Sequence, residues 1–105
     1  MMVHSLFAIL STMGVIAIAD KVPSYNFEPS CRAAVDQMPA RLETCIKSEV
    51  DARAKLTSEW TQYPIADRTA CVSASSAGGS PSYVELLVCL GMKEQVRDIR
   101  RKNPG

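Results

Sequence analysis

The sequence predicts an all-α fold, a small disulfide-stapled bundle of about four helices laid out as two local helical hairpins behind a cleaved signal peptide. Three observations carry that expectation. Apolar residues in the middle of the chain recur at helical steps. Prolines and a glycine pair interrupt the helical pattern at Met38-Pro39, Tyr63-Pro64 and Gly78-Gly79. Finally, Cys31 and Cys45 flank the first interruption and Cys71 and Cys89 the last.

Residues Leu6 to Ala19, LFAILSTMGVIAIA, form an uncharged apolar run of about fourteen residues, shorter than the roughly twenty that a membrane-spanning helix takes. The run ends on Ala17-Ile18-Ala19, the small-x-small pattern of a signal peptidase site, with Asp20 and Lys21 just beyond. Residues 1–19 therefore read as a secretory leader, and the product as periplasmic or secreted with no stable membrane anchor after cleavage. The opening MMVHS departs from the usual leader in having no Lys or Arg. Removing the leader leaves about 86 residues, one domain whose core is marginal at that size. Crosslinks are the expected remedy. All four cysteines lie after the leader, where export would deliver them to an oxidising compartment. Their gaps each exceed a dozen residues, unlike the close C-x-x-C pairs of zinc sites, so disulfides are expected and no metal or other cofactor.

The mature chain opens with KVPSYNFEP, which is bounded by prolines and has no period. It reads as an extended arm over residues 20–29, with Tyr25 and Phe27 available to pack on the helical domain of residues 30–102. Ser30 is placed to N-cap a short helix A running to about Gln37. That helix stops before Met38-Pro39 because a residue preceding proline avoids the helical region. Helix B, from about Pro39 to Gln62, puts Leu42, Cys45, Ile46, Ala52, Leu56 and Trp60 on one face. Three acid-to-base pairs at i,i+4 support it, Glu43 with Lys47, Glu49 with Arg53 and Asp51 with Lys55. Glu49 and Arg53 fall within or beside the apolar face and read as a partly buried ion pair. Trp60 and Tyr63 read as core residues at the end of the helix.

IADRTACVSA forms a shorter helix C with Ile65, Arg68, Thr69 and Val72 on one side, and SASSAGGSPS has the composition of a loop. Helix D opens at Ser80-Pro81 or at Ser82, where Ser82 and Glu85 match the S-x-x-E capping box. It is apolar on nearly every side from Tyr83 to Met92 and then keeps a stripe through Cys89, Met92, Val96 and Ile99. That pattern suits a central helix covered by A, B and C, or a surface that meets a partner. The glycines before it form a turn and not a phosphate loop, since no lysine follows them and no strand precedes them.

Folding at the two outer interruptions brings Cys31 level with Cys45 and Cys71 level with Cys89, which makes the local pairing preferred among three connectivities. Cys45 with Cys89 stays open if helix D crosses B. Loops of these lengths stabilise by roughly 3 kcal/mol each on chain-entropy grounds.

The single histidine, His4, lies in the leader, so the mature chain has no imidazole for a Ser-His-Asp or Cys-His mechanism or for metal binding. Net charge is +1, and the basic end at Lys93, Arg97, Arg100, Arg101 and Lys102 has no interleaved aromatics, so nucleic acid is not an expected partner. Those cations suit the carboxyl end of a helix dipole, and less directly an acidic partner.

The order of leader, PSC, a cysteine-bearing helix with EW near its end, ADR and a cysteine, then GGSPSYVELLVCL, resembles a group of short, uncharacterised exported proteins of Gram-negative bacteria. The likeness covers Pro29 to Met92 and implies a periplasmic helical domain with the same four cysteines. It implies no activity. Ile65 departs from it, since a polar cap is expected where helix C starts.

The functional expectation is a small exported non-enzymatic protein, an interaction or stability module presenting a helical surface that includes Tyr83, Leu87 or Met92. Its partner would be a protein or an envelope component, and self-association through the last helix is a further expectation. The alternatives are a small enzyme using Glu49 or Glu85 as acid or base beside Tyr83 or Trp60, and a thiol redox protein, which the lack of C-x-x-C disfavours.

Overall fold

The prolines and Ser82 read from the sequence fix where the helices turn, but not every helix buries the face that its spacing suggested. The computed structural model describes residues 20–34, 38–77 and 80–103. The leader expected over residues 1–19, the end of helix A and the glycine pair lie outside them. Among the described residues all regular structure is helical: α1 (Glu28–Ala34), α2 (Pro39–Glu59) with a 3-10 turn at Trp60–Gln62, α3 (Ile65–Ser76) and α4 (Tyr83–Lys102).

Helix α1 starts two residues before Ser30. Asn26 Oδ1 accepts from the Glu28 N–H at 3.4 Å, and Pro29, which has no N–H to leave unpaired, sits in the first turn. The Ser30 hydroxyl is thus no cap. It donates instead to the carbonyls of Ser80 at 2.9 Å and Pro81 at 3.2 Å, tying α1 to the chain just ahead of α4. The arm accordingly ends at Phe27.

Helix α2 follows the sequence closely. Met38 is extended (φ −90, ψ 112) and Pro39 opens the helix. Pro64 stops it by the same restriction, leaving Tyr63 extended at ψ 138. Ala52, Leu56 and Trp60 are buried, while Leu42, Cys45 and Ile46 are half-buried. Pro64 also heads α3, where no side chain caps the helix and Ile65 stands 65% exposed. The buried side of α3 is Arg68, Cys71, Val72 and Ser75, so Ile65 and Thr69 do not share the core face as their spacing suggested. The Cys71–Cys89 crosslink decides this rotation, because it turns Cys71 toward α4. The helix continues to Ser76, into the stretch expected as loop.

Both disulfides are local. Cys31 and Cys45 staple α1 to α2 with Cα atoms 5.6 Å apart, and Cys71 and Cys89 staple α3 to α4 at 5.7 Å. Helix α4 packs against both α2 and α3, whereas α1 packs only against α2, so α4 is not covered by all three helices. The shared core is Ala52, Leu56, Trp60, Tyr63, Cys71, Val72, Tyr83, Leu86 and Leu90.

Besides this core, a carboxylate joins the two hairpins. Glu49 of α2 is only 4% exposed, yet its partner is not Arg53. Its Oε1 accepts from the Tyr83 backbone N–H and its Oε2 from the Ser82 hydroxyl, both at 2.6 Å. Ser82 in turn caps α4 by accepting from the Glu85 N–H at 3.2 Å. Glu49 is therefore an anion held at a helix N-terminus, where free N–H groups and the helix dipole favour it. Arg53 lies instead with its guanidinium carbon 6.0 Å from the Tyr83 ring centroid, and none of the three acid-base pairs read along α2 forms an ion pair.

The arm packs as its aromatics suggested. The Tyr83 hydroxyl accepts from the Tyr25 N–H at 2.8 Å and donates to the Pro23 carbonyl at 2.9 Å. The Tyr25 and Phe27 rings lie 5.0 and 6.0 Å from the Tyr83 ring, and the Tyr25 hydroxyl shares a 2.7 Å hydrogen bond with Ser75 Oγ.

Glu49→Ala should lower unfolding stability by about 3 kcal/mol, because it strands two buried donors at the start of α4. Glu49→Gln keeps one acceptor and should cost clearly less. Denaturant unfolding of both variants measures the difference, and equal losses would show that the carboxylate does not act through these two bonds.

Candidate interaction surface

Every residue the sequence offered for chemistry can now be placed. Glu49 has both oxygens occupied within the fold. Glu85 is exposed and its carboxylate does not reach back to the Ser82 N–H, so only half of the capping box forms. Tyr83 is 2% exposed and Trp60 4%, which makes both core residues and removes Tyr83 from the expected contact surface. Leu87 is half-buried and packs on the core, so it contributes little to such a surface. Met92, at 61% exposed, is the one of the three that presents its side chain to solvent. The four sulfurs are consumed pairwise in disulfides, which leaves no thiolate among them for exchange as a nucleophile.

The surface that does form is the outer face of α4. Tyr83, Leu86 and Leu90 face the core. On the opposite side Val84, Val88, Met92, Val96 and Ile99 are all exposed, spanning roughly 120° of arc at 3.6 residues per turn. Val88, Met92 and Ile99 are each more than half exposed. Val84, Val88, Met92 and Val96 line an open groove, with Glu85 and Lys93 its polar members. The helix therefore has two apolar faces, and among the described residues the fold buries one. Val84 and Val88 were not named from the sequence as surface residues. Their signal was present in the four-residue steps Val84, Val88, Met92, Val96, but a helix apolar all round does not say which face turns inward.

One glycine belongs to this helix, Gly91 in its middle. A side chain built there would meet nothing within 4 Å inside the protein, so the fold itself does not require glycine at this position.

A second, polar feature lies near the corner between α2 and α3. Glu59, Gln62, Tyr63, Glu94 and Arg97 line a small hollow of about 170 Å³. Arg97 pairs with Asp67, joining α4 to the first turn of α3. The Tyr63 hydroxyl donates to Glu59 Oε1 at 2.9 Å. Burial, then that hydrogen bond, then the negative charges of Glu59 and Glu94 push the Tyr63 hydroxyl up to about 12. Beside it Arg68, itself buried, donates through Nε to the Tyr63 carbonyl at 2.9 Å and lies 5.7 Å from the Trp60 ring centroid. These contacts hold the corner, where the buried Trp60 Nε1 has no hydrogen-bond partner among the described residues.

Comparison with known proteins gives no match among family models, curated proteins or solved structures. The class defined by the fold is a small all-α bundle with two disulfides, and no helix among the described residues is long and apolar enough to cross a membrane.

Two outcomes follow from this geometry. Val88→Ser and Met92→Ser should each change unfolding stability by less than about 0.5 kcal/mol, as exposed positions do. Leu86→Ala, on the inner face of the same helix, should cost about 2–5 kcal/mol. Thermal and denaturant unfolding at high dilution, where the chain is monomeric, distinguish them, and a large loss at Val88 or Met92 would mean that face is covered within the protein. The Tyr63 hydroxyl gives the second. Its folded value of about 12 lies above the ordinary 10.0, so the stability it contributes is complete below pH 10 and is lost as pH rises toward 12. Tyr63→Phe should flatten that part of the alkaline decline, and unfolding curves across this range measure it.

Proposed function

We propose that the protein is a small exported, non-enzymatic interaction or stability module that works in the periplasm or outside the cell and offers the outer face of α4 to a partner. The observation that carries this reading is the second apolar face. Five exposed apolar side chains in register on one rigid helix are far more than a monomer needs at its surface. Two disulfides among about 86 residues support the compartment, since such crosslinks persist where the surroundings are oxidising. They also suit the role. Crosslinks that staple both hairpins hold the α4 face in one geometry, so little ordering cost is left for binding.

The candidate acids for a catalytic reading are otherwise engaged or isolated. Glu49 holds α4 in place, and Glu85 stands on the exposed face with no second ionisable group hydrogen-bonded to it. The exposed stripe fits binding directly, and its apolar chemistry calls for a partner whose contacting side is apolar too.

A photo-crosslinking residue placed at Val88 tests the reading in the exported fraction of the host, with the same residue at Thr57, exposed on α2, as control. Adducts at Val88 and none at Thr57 are expected. Equal labelling of both sites, or none at either, would remove the docking role of this face.

A further inference from the structure

The outer face of α4 has an internal symmetry that points to its occupant. Met92 stands at the centre of the stripe, with Val88 and Val96 four residues to either side. Beyond them the ends differ in charge. Glu85 lies seven residues before Met92 and Arg100 eight residues after it, both exposed, and neither has an ionic partner among the described residues. At about 100° per residue both fall on the same flank of the stripe. A two-fold axis through Met92, at right angles to the helix, therefore does two things at once. It lays Val88 of one copy against Val96 of the other, and it brings each Glu85 level with the Arg100 of the facing helix.

We infer that the occupant of this face is a second copy of the chain, docked antiparallel through α4 about a two-fold axis at Met92. This rests on the docking reading above and supplies its partner. A closed two-fold pair is the commonest way for one patch to satisfy itself. Antiparallel packing also sets each helix's positive end beside its partner's negative end, whereas parallel packing would put Glu85 against Glu85 and the basic last turns against each other. One helix face buries less than a standard interface of roughly 800 Å² per partner, so the dimer is weak and concentration-dependent.

The test is sedimentation equilibrium of the exported, disulfide-bonded protein over a range of concentrations at low ionic strength, where exposed ion pairs are least screened. The wild type is expected to pass from monomer to dimer and no further. Glu85→Arg and Arg100→Glu should each weaken the dimer roughly tenfold, because each replaces two attractions by two repulsions. Mixing the two single variants should restore it, since one copy then carries cations at both positions and the other carboxylates at both, and each cross-helix contact is attractive again. Met92→Glu should leave monomer alone with an unchanged helical spectrum. A wild-type monomer at every concentration overturns the inference. So does a dimer indifferent to both charge reversals, or a monomer that floats with vesicles of anionic phospholipid. In the crosslinking experiment above, a Val88 adduct of twice the chain mass agrees with the self-dimer. An adduct with a different protein overturns the self-dimer while the docking reading stands, and no adduct at all overturns both.

Discussion

The fold hangs on the Glu49 carboxylate. Two hairpins, each closed by its own disulfide, have no crosslink between them beyond the chain at Pro64. Glu49 joins them through Ser82 and the Tyr83 N–H, both at 2.6 Å, and it does so at the one place where α4 most needs acceptors. A carboxylate buried without a cation is ordinarily costly. Here three features offset the cost: two short charge-assisted hydrogen bonds, the positive end of the α4 dipole, and Ser82, which passes the interaction on to Glu85. The consequence reaches the arm as well. Once Tyr83 is fixed by its backbone, its hydroxyl is fixed too, and that hydroxyl holds Pro23 and Tyr25.

Labour is thus divided between covalent and polar links. The disulfides constrain neighbours in sequence, α1 to α2 and α3 to α4, while the apolar core and the Glu49 cap join the hairpins. Further polar ties support the same junction. Ser30 reaches the carbonyls of Ser80 and Pro81, and Arg68 of α3 braces the Trp60–Tyr63 corner at the end of α2. The rotation of α4 follows from this arrangement. With Tyr83 at the cap and Cys89 bonded to Cys71, the inward face can only be that of Tyr83, Leu86 and Leu90. Val84, Val88, Met92, Val96 and Ile99 are then turned outward by geometry alone. The exposed stripe is the other side of a helix whose orientation was settled elsewhere.

None of those five positions belongs to the core cluster, so polar residues there would cost the isolated bundle nothing inside and would add to its solubility. On the proposed docking reading, a covering partner is what keeps them apolar.

Much of the fold was legible in the residues. Proline restricts its predecessor locally, so Met38-Pro39 and Tyr63-Pro64 marked the ends of α2 from sequence alone. A serine three residues before a glutamate marked the start of α4, and cysteines level across a turn marked the local pairs. The all-α architecture and the packing arm belong to the same group, since both depend on spacing and residue type. Other features escaped because they depend on contacts between residues far apart in the chain. Glu49 and Arg53 look like a helical ion pair by spacing, yet Glu49 is claimed by a helix start thirty-four residues away. Ile65 and Thr69 share a side with Val72, yet the Cys71–Cys89 bond turns them out. Tyr83 and Met92 belong to one apolar run, yet one is core and the other surface. Spacing tells which residues share a face of a helix; only the neighbours that the helix meets decide which face is buried, and here a carboxylate and a disulfide made that decision.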